Sequence, residues 1–290
     1  MDQYYDNGHL NQIIQEAIVE DVGLGDITTE SIVSHDLLGH GEMRAKEQGI
    51  VAGVAIAEKI FHFIDPELQF KRFITDGSVV DTNTIINAVD GSFGSILKAE
   101  RTVLNIVQRM SGIATMTAKF VDAVRGTHAK ITDTRKTAPG LRYLDKLSVK
   151  LGGGTNHRFG LDDMVLIKDN HIAAAGGISQ AIELCLNYLH TKKYKIKIEV
   201  ETKNLDEVKE VLKFEEIRRI MLDNYSIDEM KKAVEFISQR VEVEASGNVT
   251  LQNVRTVAET GVDFISVGAL THSPKALDIS LKVIHLPKSS

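Results

Sequence analysis

Cysteine is all but missing from this chain: Cys185 is the only one in 290 residues. One thiol excludes an intrachain disulfide and a cysteine-built metal cluster, and it fits a reducing cytoplasm. Long apolar runs are missing too. The longest obvious one, residues 50–57, falls far short of the about 20 residues that span a bilayer. The opening Met-Asp-Gln-Tyr-Tyr-Asp-Asn has no basic stretch followed by an apolar one, so no secretory signal is expected. Positive charge is in deficit, with 34 Lys and Arg against 40 Asp and Glu for a net −6. That argues against a general nucleic-acid or membrane-surface role. Neither an H-E-x-x-H pair nor a P-loop occurs. Gly23-Leu24-Gly25 lacks the third glycine and the preceding strand of a dinucleotide motif, so it reads as a turn. His9, His35, His40, His62 and His128 show no metal-ligand spacing.

What the chain has is 43% hydrophobic content, enough for a large core in one big domain or two modest ones. Up to about Met110 the pattern mixes α and β. Residues 11–20 have helical apolar spacing, and short β-like runs follow at 39–45, 69–73 and 84–89. A long helix is expected from about Ile96 into the Met110 region, and another just after it to Val124. From Ala129 the pattern becomes a regular alternation. Strand-like runs at 131–132, 164–167, 196–200, 220–222, 241–243 and 264–267 are interleaved with helical segments at 178–189, 205–213, 227–239 and 251–259. Ser226 with Glu229 fits a capping box, and Asn204 with Glu207 is a weaker one. Such alternation implies a parallel sheet. Six units without a dinucleotide fingerprint favour an α/β barrel, complete or incomplete, over an open sheet. Cys185 falls in helical register with Ile182, Leu186 and Leu189 and reads as a core residue.

Each strand-like run is followed at once by polar or small residues. These are Thr132-Asp133-Thr134-Arg135-Lys136, Lys168-Asp169-Asn170-His171, Glu201, Asp223-Asn224, Glu244-Ala245-Ser246-Gly247-Asn248 and Gly268-Ala269. One such end is ordinary. Six in register converge on the mouth where barrel enzymes place their chemistry. Arg135, Lys136 and Lys168 supply positive charge, and the long loop between the first two strands adds Arg142, His157 and Arg158. The same loop carries Gly152-Gly153-Gly154, suited to close approach of backbone to ligand. Arginine forks match carboxylate or phosphate, and lysine adds a point charge. The plainer alternative is a solvated basic loop balanced by Asp145, Asp162 and Asp163; against it, three of the cations directly follow buried-type strands. Glu201 and Asp223 are lone acids at successive ends, suited to a divalent ion or sugar hydroxyls, or to pairing with a neighbouring lysine. Ser246-Gly247-Asn248 and Gly268-Ala269 expose backbone N–H groups before helices, either to hold phosphate or to cap the helix. A cationic pocket, a pair of acids and a phosphate cradle suit a phosphorylated sugar reacting with a carboxylate-bearing partner.

Read together, the residues resemble one family, quinolinate phosphoribosyltransferase, also called nicotinate-nucleotide pyrophosphorylase (carboxylating). The resemblance runs through Gly25-Asp26-Ile27-Thr28-Thr29, Glu100-Arg101-Thr102 with Leu104-Asn105, and Ser111-Gly112-Ile113-Ala114-Thr115. It continues in Asp133-Thr134-Arg135-Lys136-Thr137 with Pro139-Gly140, then Gly152-Gly153-Gly154 with Asn156-His157-Arg158. Lys168-Asp169-Asn170-His171, Glu199-Val200-Glu201, Met221-Leu222-Asp223-Asn224 and Ser246-Gly247-Asn248 complete it. It implies an N-terminal α/β sandwich over 1–110 with 271–290 packing back on it, and an irregular or incomplete α/β barrel over 111–270. It also implies a homodimer with shared active sites; the single cysteine and the net charge, not the resemblance, carry the expectation of a cytoplasmic protein with no nucleic-acid or membrane partner.

By the same resemblance, the enzyme joins quinolinate to phosphoribosyl pyrophosphate with Mg²⁺, giving nicotinate mononucleotide, pyrophosphate and carbon dioxide. Arg135, His157, Arg158 and Lys168 would clamp quinolinate, with Arg101 donated by the partner subunit. Lys136 would sit near the pyrophosphate and the reacting centre with Thr134. Glu201 and Asp223 would hold ribose hydroxyls or the metal. Ser246, Gly247, Asn248, Ser266, Val267 and Gly268 would receive the 5′-phosphate end. Asn248 stands where some relatives have glycine, and asparagine tolerates left-handed backbone. The acid-rich motif of the commoner phosphoribosyltransferases is absent, so phosphoribosyl chemistry here uses a different fold. The competing readings are a related phosphoribosyltransferase without decarboxylation, a Schiff-base lyase or aldolase using Lys136 or Lys168, and a non-catalytic sensor of phosphoribosyl compounds.

Overall fold

The computed structural model describes residues 7–286. Residues 1–6, with most of the opening sequence read above, and 287–290 lie outside the described residues. In chain order, α1 (Asn7–Val22) and α2 (Ile27–Ile32) lead to β1 (Leu38–Ala45), β2 (Gly49–Ile50), α3 (Val54–Ile64), β3 (Gln69–Arg72), β4 (Val79–Val80) and β5 (Ile85–Ser92). Next come α4 (Phe93–Ala123), β6 (Lys130–Thr132), α5 (Arg142–Leu151), β7 (Val165–Ile167), α6 (Asp169–Ala175), α7 (Ile178–Lys192) and β8 (Ile198–Thr202). The remainder is α8 (Leu205–Val211), β9 (Arg219–Asp223), α9 (Ile227–Ile237), β10 (Glu242–Ser246), α10 (Val254–Ala258), β11 (Phe264–Ser266), α11 (Ala269–His272) and β12 (Ile279–His285). No described helix is long and apolar enough to cross a membrane.

The chain divides into two compact units. The first comprises the chain up to Ala118, Thr137–Gly153 and the chain from Leu270 on. Its main sheet is antiparallel in the order β12-β1-β5-β3. β1 alternates strictly, with Gly39, Gly41, Met43 and Ala45 buried, as a half-covered strand must. The buried face meets Ile60 and Phe61 of α3 and Val103 and Val107 of α4 in one apolar cluster. β12 closes the sheet, pairing antiparallel with β1 from Gly39↔His285 to Ala45↔Ile279. α3 starts after Gly53, where the Asp76 carboxylate accepts the N–H groups of Gly53, Val54 and Ala55 at 2.6, 2.8 and 3.1 Å. A carboxylate there satisfies orphan donors and favours the positive end of the helix.

The second unit comprises Lys119–Lys136 and Gly154–Ala269. Its six strands are all parallel, in the order β6-β11-β10-β9-β8-β7. Successive strands are therefore neighbours around an α/β barrel. β6 and β7 are not paired with each other; beside β6 the described residues give only a single parallel bridge, Thr132 to Thr155. The barrel is open there. Side chains facing the helices are apolar and buried: Val200, Ile220, Leu222, Val243, Ala245 and Ile265. The alternate positions face inward and are mostly polar. A barrel interior usually holds branched apolar residues, so this polarity marks where the chemistry sits.

Several sequence expectations are corrected. α4 is one continuous helix, not two. The segment read as a long loop after the first barrel strand contains α5, and it belongs to the first unit. The reason is α5's buried side: Tyr143 and Leu144 join that unit's core. The buried Asp145 also accepts Arg109 of α4 in a two-pronged bond at 2.9 and 2.8 Å. Arg142 accordingly sits in that unit, with Nε donating to Thr137 Oγ1 at 3.1 Å. The first compact unit runs to Ala118 and takes this excursion back into itself. The helix expected at 251–259 shortens to α10, because residues 250–253 form a turn in which the Thr250 N–H is held by Asn253 Oδ1 at 2.8 Å. Cys185 is half-buried, lining an apolar hollow with Leu166, Ala174 and Leu184 rather than a closed core.

Gly112 in α4 illustrates how tightly the first unit is packed. A Cβ there would lie 2.0 Å from the Lys275 backbone oxygen, a clash that only backbone movement relieves. Gly112→Ala should destabilise the protein by about 2 kcal/mol or more. Thermal unfolding checks this, and an unchanged Tm would contradict it.

Candidate active site

Thr134, Arg135 and Lys136 follow β6, and Lys168 follows β7; Glu201, Asp223, Ser246 and Ser266 lie at the C-terminal ends of β8 to β11. Parallel pairing brings these ends together around a cavity of about 430 Å³. Its lining carries four cations, Arg135, Lys136, Arg158 and Lys168, together with the acids Glu201 and Asp223 and the hydroxyls of Ser246 and Ser266. The three cations Arg135, Arg158 and Lys168, expected at one rim, do share this cavity.

Arg158 is nearly buried at 8% exposure. Burial pulls its guanidinium below the usual range, the neighbouring Arg135 pulls further, and Glu199 and Asp163 act the other way. Two cations acting on one cavity suit an anionic ligand. Arg158 Nη1 donates to the Met164 carbonyl at 3.0 Å. Lys168 Nζ donates to Glu201 Oε2 at 2.7 Å, so one cation of the cavity is paired with one of its acids. The Lys168 N–H donates to His171 Nδ1 at 2.9 Å, fixing the start of α6.

His157 lines the cavity, yet its nitrogens are turned to the protein. Nδ1 accepts the Arg158 N–H at 2.8 Å, and Nε2 lies 3.0 Å from Glu199 Oε2. As an expected member of the clamp it therefore forms a wall and does not aim a donor into the cavity. Its backbone is held by the buried Asp133, which accepts the His157 N–H at 2.9 Å and Asn156 Nδ2 at 2.7 Å.

Other expected residues lie around or away from this cavity. Gly247 and Asn248 form the turn after β10 with φ of 102° and 49°; only glycine fits the first, since a Cβ would meet Asn224 Oδ1 at 2.2 Å. Asn248 Nδ2 donates to Asn224 Oδ1 at 3.1 Å, and Asn224 Nδ2 donates to Asp223 Oδ2 at 2.8 Å. The left-handed asparagine thus supports Asp223 through one intermediary. The Val267 N–H donates to the Thr132 carbonyl at 3.0 Å, and its side chain is buried. Gly268 follows it at the start of α11. Arg101 is exposed on α4 in the first unit.

Sequence reasoning missed Leu166, Met221 and Glu244 in the cavity lining and the charged layer beneath it. Glu199 and Glu244 are fully buried. Arg219 Nη1 donates to Glu244 Oε2 at 2.9 Å, its Nε and Nη2 bond Glu242, and its guanidinium lies 3.8 Å over the Phe264 ring. Burial pushes both the Glu199 and Glu244 carboxyls up to about 7. His157, Glu199 and Glu244 bring ligand-type atoms within 4.8 Å of one another, but Arg219 and Arg158 already supply positive charge there. That favours an internal ion network over a metal centre.

The family model described as quinolinate phosphoribosyl transferase, C-terminal domain, matches residues 113–282, and its N-terminal-domain counterpart matches 26–111. The chain is 48% identical over 289 residues to quinolinate phosphoribosyltransferase (decarboxylating) 2, a mitochondrial protein of Nicotiana glauca, covering 94% of this chain and 82% of that one. It is 44% identical over 277 residues to the probable nicotinate-nucleotide pyrophosphorylase (carboxylating) of Synechocystis, covering 93% and 91%. The crystal structure of NadC from Streptococcus pyogenes superposes with a TM-score of 0.91 at 35% identity, covering 97% of this chain and 99% of that one.

Glu244 gives a pH test of the buried layer. Its carboxyl holds a proton more tightly folded than unfolded, so the stability this confers is complete below about pH 4.5 and is lost as pH rises toward 7. Glutamine does not titrate. The Tm of Glu244→Gln relative to the native chain should therefore climb between pH 4.5 and 7; parallel Tm curves would contradict it.

Proposed function

The chain belongs to the quinolinate phosphoribosyltransferase family, and we propose that its barrel-mouth cavity is where phosphoribosyl pyrophosphate and quinolinate meet. The reaction is a pentosyl transfer with decarboxylation, yielding nicotinate mononucleotide, pyrophosphate and carbon dioxide for NAD biosynthesis. The observation that supports this most is the grouping of Arg135, Arg158 and Lys168 in one cavity with Glu201 and Asp223.

Quinolinate carries two adjacent carboxylates. Moving them out of water is costly unless paired cations meet them, and the Arg135/Arg158/Lys168 set supplies three. Arginine forks fix the ring plane, which aligns the ring nitrogen with the ribose carbon. That nitrogen forms the new N–C bond as the C–O bond to pyrophosphate breaks. Lys136, exposed at the rim, stabilises the charge gathering on the departing pyrophosphate. The pyridinium nitrogen then accepts the electron pair left when the neighbouring C–C bond breaks and carbon dioxide departs. A proton takes the vacated carbon, so no decarboxylation cofactor is needed.

Glu201 and Asp223 accept the ribose hydroxyls. Both line the same cavity and are oxygen donors of the kind Mg²⁺ takes while keeping several waters. Bound there, Mg²⁺ supplies countercharge for the leaving group. Ser246, Gly247, Asn248, Ser266 and Gly268 receive the 5′-phosphate. The active unit is a homodimer in the cytoplasm in which the partner's Arg101 completes the carboxylate clamp.

Pure protein with Mg²⁺ should release carbon dioxide from quinolinate only when phosphoribosyl pyrophosphate is present; no release would overturn the assignment. Lys136→Ala should lower kcat by about 10²- to 10³-fold, whereas a non-catalytic binder would lose nothing measurable. Mixing Arg101→Ala chains with Lys136→Ala chains should restore part of the activity in heterodimers. Absence of rescue in verified heterodimers would count against a shared site.

A further inference from the structure

The proposed clamp leaves one group unexplained: Glu199, fully buried one layer below the cavity. It lies on β8 two positions before Glu201 and therefore on the same inward face. Glu199 Oε2 is 3.0 Å from His157 Nε2, and Glu244 Oε2 is 3.6 Å from the same nitrogen. The other ring nitrogen, Nδ1, is 2.8 Å from the Arg158 backbone nitrogen. A backbone N–H can only donate, so Nδ1 is the acceptor and the ring carries its proton on Nε2. That proton is aimed at Glu199.

We infer that Glu199 is a positioning residue for the dicarboxylate clamp, holding Arg158 in place through the Nε2–H tautomer of His157. Three observations join in this. The carboxylate fixes which ring nitrogen bears hydrogen. The nitrogen left bare grips the N–H of Arg158. Glu199 also acts on the Arg158 guanidinium against the like charge of Arg135. Without Glu199, the imidazole is free to take the other tautomer, whose Nδ1–H opposes the Arg158 N–H and breaks that link. The same orientation logic governs histidines whose far nitrogen is tied to a carboxylate.

This rests on the quinolinate reading, and the tests separate the two. With the native enzyme releasing carbon dioxide as a control, Glu199→Ala should raise the KM for quinolinate by about tenfold or more. The KM for phosphoribosyl pyrophosphate should stay within about threefold. Glu199→Gln keeps an oxygen acceptor for Nε2–H and should recover most of the quinolinate KM. Ring ¹⁵N shifts of labelled histidine, with His157 assigned by its loss in His157→Gln, should report the Nε2–H tautomer in native protein and in Glu199→Gln. Native kinetics in Glu199→Ala, equal rises in both KM values, no rescue by glutamine, or a His157 signal of the Nδ1–H form would each overturn the inference. A native enzyme inactive on quinolinate would instead remove the reading beneath it, while the tautomer measurement would still stand.

Discussion

Arg135 and Arg158 bring like charge to one cavity, and the barrel sets carboxylates against that repulsion. Arg158 is nearly buried and feels Arg135 directly; Glu199 and Asp163 are the groups that offset it. Lys168 is steadied in the same way by Glu201. The cationic set therefore exists because carboxylates offset its repulsion. A ligand with two carboxylates meets charges already oriented and relieves repulsion as it binds, which is the economy of a preorganised site.

The cost appears in the barrel interior. Positions that usually hold branched apolar side chains carry Glu199, Arg219, Glu242 and Glu244, and buried charge seldom adds stability over a well-packed apolar core. Apolar burial is therefore concentrated elsewhere. In the second unit it lies between the outward strand faces and the helices, through Val200, Ile220, Leu222, Val243 and Ile265. In the first it lies between the antiparallel sheet, α3 and α4. The open gap between β6 and β7 follows the same division of labour: the chain leaves β6 through the residues that carry Arg135 and Lys136 and returns through those that carry His157 and Arg158.

The barrel strands were legible because each is a short apolar run ended by polar residues, and parallel pairing does the rest. That is how Arg135, Lys168, Glu201 and Asp223 could be gathered onto one rim from their positions alone. The layer beneath was harder to see. Glu199-x-Glu201 and Glu242-x-Glu244-x-Ser246 place polar or charged groups at every second position, a strand-period signal, and Arg219 precedes Asp223 on the same face, but a site role was read only for the last member in each case. α5 was hidden because it ends in three glycines and its buried side contains Asp145 and Lys146, which look solvent-facing in isolation. The tautomer of His157 could not be read from sequence at all, since it depends on a strand that is distant along the chain.

Calorimetric titration of the native protein with pyridine-2,3-dicarboxylate and with pyridine-3-carboxylate tests the charge-matching account most directly. The account predicts that the diacid binds at least about tenfold more tightly, a difference of about 1.4 kcal/mol, and that the gap narrows as salt is added. Equal affinities at low salt would contradict it.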